Sequence, residues 1–193
     1  MANKIYLDKY YTPIDLAINC INKTINIIGK KNISEIIEPS AGNGSFSLNI
    51  EGCLAYDIEP QHETILKQDF LKLKLSYKKN RLVIGNPPFG EKMYMAKLFF
   101  KKSAQIADYI AFILPISQLN NQNSLYHFDL IYSEDLGIIK YSDRELHCCF
   151  NIYKRPASNL NKQKREKLNS IKIYRQDSKR YNLIDNYDLR LHH

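Results

Sequence analysis

The stretch Asn86-Pro87-Pro88-Phe89-Gly90 restricts this chain more than any other. It follows the apolar run Leu82-Val83-Ile84, which reads as a buried strand closed by turn residues. Each proline fixes its φ and lacks an N–H, so nearby carbonyls face outward with no competing donor. The expected product is a stiff, exposed corner at a strand's C-terminal end. Asn86 adds a side-chain carbonyl there and Phe89 a flat apolar face. Two acceptors beside a stacking surface suit an exocyclic amine on a planar ring, such as N6 of adenine. Asn-Pro dipeptides also mark ordinary turns, so the corner gains meaning only from what surrounds it.

Upstream, Thr12-Pro13-Ile14-Asp15 predicts a helix start, with Thr12 as N-cap, Pro13 in the first turn and Asp15 as capping partner. Ile14, Ala17, Ile18 and Ile21 recur at helical spacing and predict its buried face. The segment 33–38 reads as a strand that ends in Glu38. Gly42 and Gly44 follow in the turn Pro39-Ser40-Ala41-Gly42-Asn43-Gly44. Two glycines after a first strand let a backbone approach a ligand closely, because positive φ is allowed and no Cβ intervenes. The next strand, 53–56, ends at Asp57, a position suited to ribose hydroxyls in a doubly wound sheet. The short gap between these strands leaves room only for a stub of helix.

Residues 60–67 read as a short helix leading to the acid-aromatic turn Gln68-Asp69-Phe70. Leu71-Lys72-Leu73-Lys74-Leu75 alternates with period two, as in a half-exposed strand. Lys78, Lys79 and Arg81 form a basic cluster before the Asn-Pro-Pro-Phe strand. Beyond it, Ala96, Phe99, Phe100, Ser103 and Ala107 mark the inner face of a helix. Tyr109–Leu114 reads as a buried strand, and 117–133 as a loop or short helix. The segments 137–141 and 146–153 form a hairpin at the sheet edge. A further strand is expected over 171–175.

Size and charge narrow the partners. The chain has 193 residues, enough for one domain with a sizeable core. Its formal charge of +8 points to a polyanionic partner such as nucleic acid. Cys20, Cys53, Cys148 and Cys149 lack metal-ligand spacing, so no metal is expected, and all four read as reduced packing residues of a cytoplasmic protein. In a strand, Cys148 and Cys149 would point to opposite faces. No apolar run approaches the length needed to span a bilayer, so no membrane association is expected.

Taken in this order, the motifs resemble those of the S-adenosylmethionine-dependent adenine-N6 DNA methyltransferases, over about residues 10–156. The resemblance implies an α/β fold of the Rossmann-like methyltransferase type: a mostly parallel seven-stranded sheet with an antiparallel edge hairpin. It implies a catalytic domain over 1–156, with 157–193 a basic extension too short for a target-recognition domain. S-adenosylmethionine is the implied cofactor. Thr12 would bind its carboxylate, lined by Tyr11 and Pro13, and Glu38 would lie near its ammonium. Gly42 and Gly44 would pass close to its methionine part. Asp57 would hold the ribose, Ile58 would pack on the cofactor adenine, and Asp69 with Phe70 would meet its edge. Asn86 and Pro87 would receive the target amine, Phe89 would stack on the target base, and Pro88 would complete that wall. Lys78, Lys79 and Arg81 would meet phosphates. The partner implied is DNA in preference to RNA, with a separate specificity subunit or a homodimer left open; the alternative is an RNA adenine-N6 methyltransferase, ahead of a protein-glutamine methyltransferase or a non-catalytic nucleic-acid-binding subunit.

Overall fold

The computed structural model describes residues 11–141 and 144–163, and the expected strand over 171–175 lies outside them. Helix α1 (Ile14–Ile28) precedes strand β1 (Glu35–Glu38), and β2 (Leu54–Asp57) and β3 (Leu66–Lys67) follow. Strand β4 (Arg81–Gly85), helix α2 (Tyr94–Ile106) and strand β5 (Tyr109–Pro115) form a βαβ unit. Strands β6 (Asp129–Lys140) and β7 (Glu145–Lys154) close the order. The sheet has seven strands in the order β3-β2-β1-β4-β5-β7-β6. All neighbours from β3 to β5 are parallel, and β7 runs antiparallel to both β5 and β6.

The chain moves outward from β1 through β2 to β3, then returns to place β4 on the other side of β1. The direction of winding therefore reverses between β1 and β4. In open α/β sheets, that reversal leaves a crevice beyond the carboxyl ends of the two strands. Glu38 ends β1 and Asn86 directly follows β4, so both stand at its mouth.

Strand alternation sorts the core into two layers. Leu82, Ile84, Ala111, Ile113, Cys148 and Phe150 pack in the cluster that contains Ala17, Cys20 and Ile21 of α1. Val83, Ile110, Phe112, Leu114, Cys149 and Tyr153 pack with Phe99 and Phe100 of α2. The adjacent cysteines thus fall on opposite faces, as a strand requires. Burial pushes the Cys20 and Cys149 thiols up to about 12, which keeps them neutral. The inner face of α2 is the one its spacing predicts.

Helix α1 differs from expectation. Its first helical residue is Ile14, and no side chain caps it, so neither Thr12 nor Asp15 forms a capping box. Its buried face is Ala17, Cys20, Ile21, Thr24 and Ile28, while Ile14 is 58% exposed. Thr24 tolerates burial because its hydroxyl donates to the Cys20 carbonyl at 2.7 Å. A threonine that satisfies itself within the helix replaces isoleucine on the core side.

The span 60–67 is not helical. Turns occupy it, and Leu66–Lys67 adds a short strand to β2, with Gln61 N donating to Gly42 O (2.9 Å) and Gln68 N to Asp57 O (2.8 Å). Residues 71–75 make no ladder, yet Leu71, Leu73 and Leu75 pack on the core while Lys72 and Lys74 face solvent. The alternation reports burial rather than pairing. Residues 116–118 form a 3-10 turn and 119–128 a loop. β6 begins earlier than its sequence signals, and β7 lies inside the sheet, with β6 at the edge. A polar run, Ser133-Glu134-Asp135, hides that extension.

At the amino end of β4, Arg81 is 5% exposed. Its Nη1 donates to Ser76 O (2.7 Å) and Ile106 O (2.9 Å), and its Nε to Glu35 Oε1 (2.5 Å). Lys78 adds a second ion pair to Glu35 at 2.8 Å. The guanidinium thereby closes the start of β4 and the end of α2 together. Arg81→Ala leaves Glu35 and two carbonyls short of their partner, and urea unfolding should show a loss of about 3 kcal/mol. A loss near zero would show that Arg81 does not hold these elements together.

Candidate active site

The site centres on Asn86. Its Nδ2 donates to Thr12 Oγ1 at 3.1 Å and to the Tyr141 hydroxyl at 3.3 Å. Its Oδ1 is buried and accepts no hydrogen bond from any described residue. A carboxamide carries two N–H donors and one carbonyl acceptor. The opposite orientation would strand two buried donors instead of one acceptor, at a higher cost. Both N–H bonds are therefore spent on the protein, and the carbonyl alone is left unspent. Ser40 Oγ also donates to the Asn86 main-chain carbonyl at 3.3 Å, fixing the backbone beneath.

Thr12 links this amide to the glycine turn. It is buried at 5% exposure, and its carbonyl accepts the Ser45 hydroxyl at 2.6 Å. That hydroxyl also lies 2.7 Å from Asn43 Oδ1, so it sits between two acceptors. Tyr11 lies on Gly42: a Cβ placed there would stand 3.1 Å from the ring's Cε1. Gly42 has φ +53, so the close approach and the backbone shape both call for glycine. The 3-10 turn Ser47–Asn49 is the expected stub of helix.

The two acids beside the turn are differently placed. Asp57 is half-buried; its Oδ2 accepts Gly42 N and its Oδ1 accepts Glu59 N, each at 2.7 Å. Glu38 is 2% exposed, with Oε2 accepting Ser47 N at 2.8 Å. Burial, opposed by the Ser47 hydrogen bonds and aided by the Asp57 charge, pushes its carboxyl up to about 8. Gly85 at the end of β4 lies against it: a Cβ there would stand 3.4 Å from Glu38 Cγ. β1 and β4 are thus in contact at the crevice itself.

The remaining expected residues divide. Ile58 is 41% exposed, next to Asp57. Asp69 accepts Leu71 N at 3.0 Å and pairs with Lys72 at 3.3 Å. An open depression of about 560 Å³ lined by Pro60, Gln61, His62, Glu63 and Ile65 adjoins the glycine turn through the Gln61–Gly42 hydrogen bond. Pro13 is exposed, Pro87 buried and Pro88 half-buried.

Three expectations do not hold. Phe89 is not an exposed stacking face: it is 7% exposed and belongs to the buried cluster of α1. Phe70 is 1% exposed and stacks on Phe99 at 5.6 Å, so its ring is core rather than a cofactor wall. Both rings are drawn in because the layers behind the crevice take apolar surface first. Arg81 and Lys78 sit at the opposite end of β4 from Asn86 and are committed to Glu35. Lys79 neighbours them there, exposed, with its carbonyl accepting Ser34 Oγ. This basic cluster cannot meet phosphates at the crevice. No local pattern marks Tyr141, whose contact with Asn86 spans 55 positions; Ser45 is marked only by its place after Gly44.

Comparison with solved structures bears on the fold. A candidate RNA methyltransferase from Pyrococcus horikoshii superposes with a TM-score of 0.61 at 14% identity, covering 80% of this chain and 90% of that one. A candidate class I S-adenosylmethionine-dependent methyltransferase from Listeria monocytogenes gives 0.58 at 16%, covering 79% and 63%. A 23S rRNA methyltransferase gives 0.54 at 11%, covering 80% and 72%. The fold is the Rossmann-like methyltransferase fold. No protein-family profile matches the sequence, and no curated protein matches it. Among the described residues no cluster of metal-ligating side chains occurs, and no helix is long and apolar enough to cross a membrane.

The buried carboxyl makes a pH test. Glu38 has its folded value raised from 4.5 to about 8, so the folded state holds a proton that the unfolded chain releases. Its contribution is fully present below 4.5 and is lost as pH rises through about 8. Glu38→Gln removes the titration while keeping an acceptor for Ser47 N. Chemical unfolding across that window should show the wild type losing stability relative to Glu38→Gln as pH rises. A constant difference would mean Glu38 ionises normally.

Proposed function

We propose that this chain is an S-adenosylmethionine-dependent methyltransferase acting on the exocyclic N6 amine of adenine in DNA. The observation that carries the reading is the Asn86 carboxamide: anchored through both N–H bonds, with a buried carbonyl left to accept. It stands beside a glycine turn at the point where the sheet reverses its winding. The residues present suit the cofactor. Gly42 and Gly44 both have positive φ, with the Tyr11 ring against the first and the Leu48 side chain against the second; Asp57 is a half-buried acid at the end of β2, and Ile58 offers exposed apolar surface beside it. Tyr11, Thr12 and Pro13 would line the methionine end, and Asp69 the adenine edge. When bound, the cofactor supplies an electrophilic sulfonium methyl group.

The chain's own residues do the rest by orientation and electrostatics. An exocyclic amine is a weak nucleophile because its lone pair is delocalised into the ring. Asn86 Oδ1 and the Pro87 carbonyl accept its two N–H bonds, which favours a tetrahedral nitrogen with a directed lone pair. The same acceptors stabilise positive charge growing on that nitrogen, an effect strengthened where water is excluded. Holding both reactants in line contributes the remainder. In a duplex the adenine must leave the stack; with Phe89 buried, Pro88 is the remaining apolar edge of the corner. The resemblance of the motif order to the adenine-N6 DNA methyltransferases supports DNA, and the formal charge of +8 suits a polyanion. RNA is the second reading, favoured by the RNA-modifying names among the structural neighbours.

The test supplies methyl-labelled cofactor with DNA, RNA and protein pools and locates the label. Label on N6 of adenine in DNA is the expected result; label in RNA only transfers the proposal to the second reading. Asn86→Ala should keep cofactor affinity, measured by calorimetry, and lose at least ~10²-fold in transfer rate. A full-rate variant would refute the role of that amide.

A further inference from the structure

Tyr141 stands where β6 ends, far in sequence from every motif above, yet its hydroxyl touches Asn86. It is 3% exposed and packs in the α1-side cluster with Cys148 and Phe150. Its main-chain N–H donates to Arg144 O at 2.9 Å, which fixes the residue at the base of the hairpin. The phenol oxygen lies 3.3 Å from Asn86 Nδ2 and 3.9 Å from Cys148 Sγ. An amide nitrogen only donates, so the phenol oxygen accepts there.

Thr12 receives the other N–H of the same amide at 3.1 Å. With one acceptor alone, the carboxamide can swing about its χ2, whose energy wells are broad. With two acceptors on different elements, one before α1 and one at the end of β6, that rotation is blocked. The direction of Oδ1 is then set by the tertiary structure rather than by the Asn-Pro-Pro turn. Burial and its polar neighbours push the phenol's ionisation up, which keeps it a neutral acceptor.

We propose that Tyr141 is a positioning residue: its hydroxyl, together with Thr12, locks the Asn86 carboxamide so that Oδ1 faces the target amine. This rests on the methyl-transfer reading for its catalytic consequence, and on geometry alone for the lock itself. The edge hairpin thereby becomes part of the site, although none of its residues need touch either substrate.

Two measurements separate these layers. Tyr141→Phe keeps the buried ring and removes only the hydroxyl. Steady-state transfer should show kcat falling by about 10²-fold, the size of a small misplacement, with KM for nucleic acid and cofactor affinity unchanged. Tyr132→Phe is the control: it removes a hydroxyl from the same strand that bonds Glu134 at 3.0 Å and not Asn86. It should leave kcat as in the wild type. Equal losses in both variants, or a full kcat in Tyr141→Phe, would overturn the proposal. In parallel, the side-chain amide signals of Asn86 are identified in ¹⁵N spectra by their loss in Asn86→Asp. In the wild type the two protons should exchange slowly with solvent, and in Tyr141→Phe one should lose protection by about tenfold or more, as expected when a buried hydrogen bond is removed. Unchanged protection would show that Tyr141 does not hold the amide. If the wild type transfers no methyl group to any pool, the methyl-transfer reading fails while the amide signals still decide the lock.

Discussion

The parallel pairing of β1 with both β2 and β4 is the constraint on which the rest depends. The chain leaves β1 toward β2 and β3 on one side and leaves β4 toward β5 on the other, so the connections after these two neighbouring strands depart in opposite directions. Their departure opens a gap beyond the carboxyl ends of the strands. Glu38, the glycine turn and Asn86 all border that gap, although they come from separate parts of the sequence. Gly85 ends β4 beside Glu38 at φ +152, a backbone conformation that side-chain-bearing residues rarely adopt.

Strand β4 carries this arrangement at both ends. At its start, a buried guanidinium gathers Glu35 and the carbonyls of Ser76 and Ile106. At its finish, a half-buried amide gathers Thr12 and Tyr141. Between them Leu82, Val83 and Ile84 alternate into the two core layers. The strand is held from one end of the sheet to the other, so the corner beyond it has little freedom to reorganise. A rigid acceptor is what electrostatic preorganisation requires. Lys78, ahead of β4, and Arg81, its first residue, pair with Glu35 and serve that rigidity, which shows why net charge speaks to association and not to location.

Much of the fold was legible in residue order. The apolar run 82–84, the inner face of α2 and the strand 109–114 were each marked by period and by flanking turn residues. So was the pairing of a glycine turn with a following strand-end acid. Other features escaped for identifiable reasons. Thr24 joins the buried face of α1 because a hydroxyl that bonds its own helix is cheap to bury, and Cys20 joins it as a small apolar side chain. Leu71, Leu73 and Leu75 alternate as a strand does, yet find no partner strand to pair with. The polar residues 133–135 lengthen β6 because an edge strand needs only one apolar face.

By itself the sequence determined which chemistry is available: an amide braced by prolines, bare backbone at Gly42 and Gly44, and acids at two strand ends. Those are local properties, written in residue type and in spacing of a few positions. Only the tertiary structure decided which way the amide faces, that Phe89 and Phe70 turn inward, and that Arg81 is a structural cation. Each of these depends on partners far along the chain, and hydrogen-bond satisfaction in a dry interior is settled by whichever groups the fold brings together.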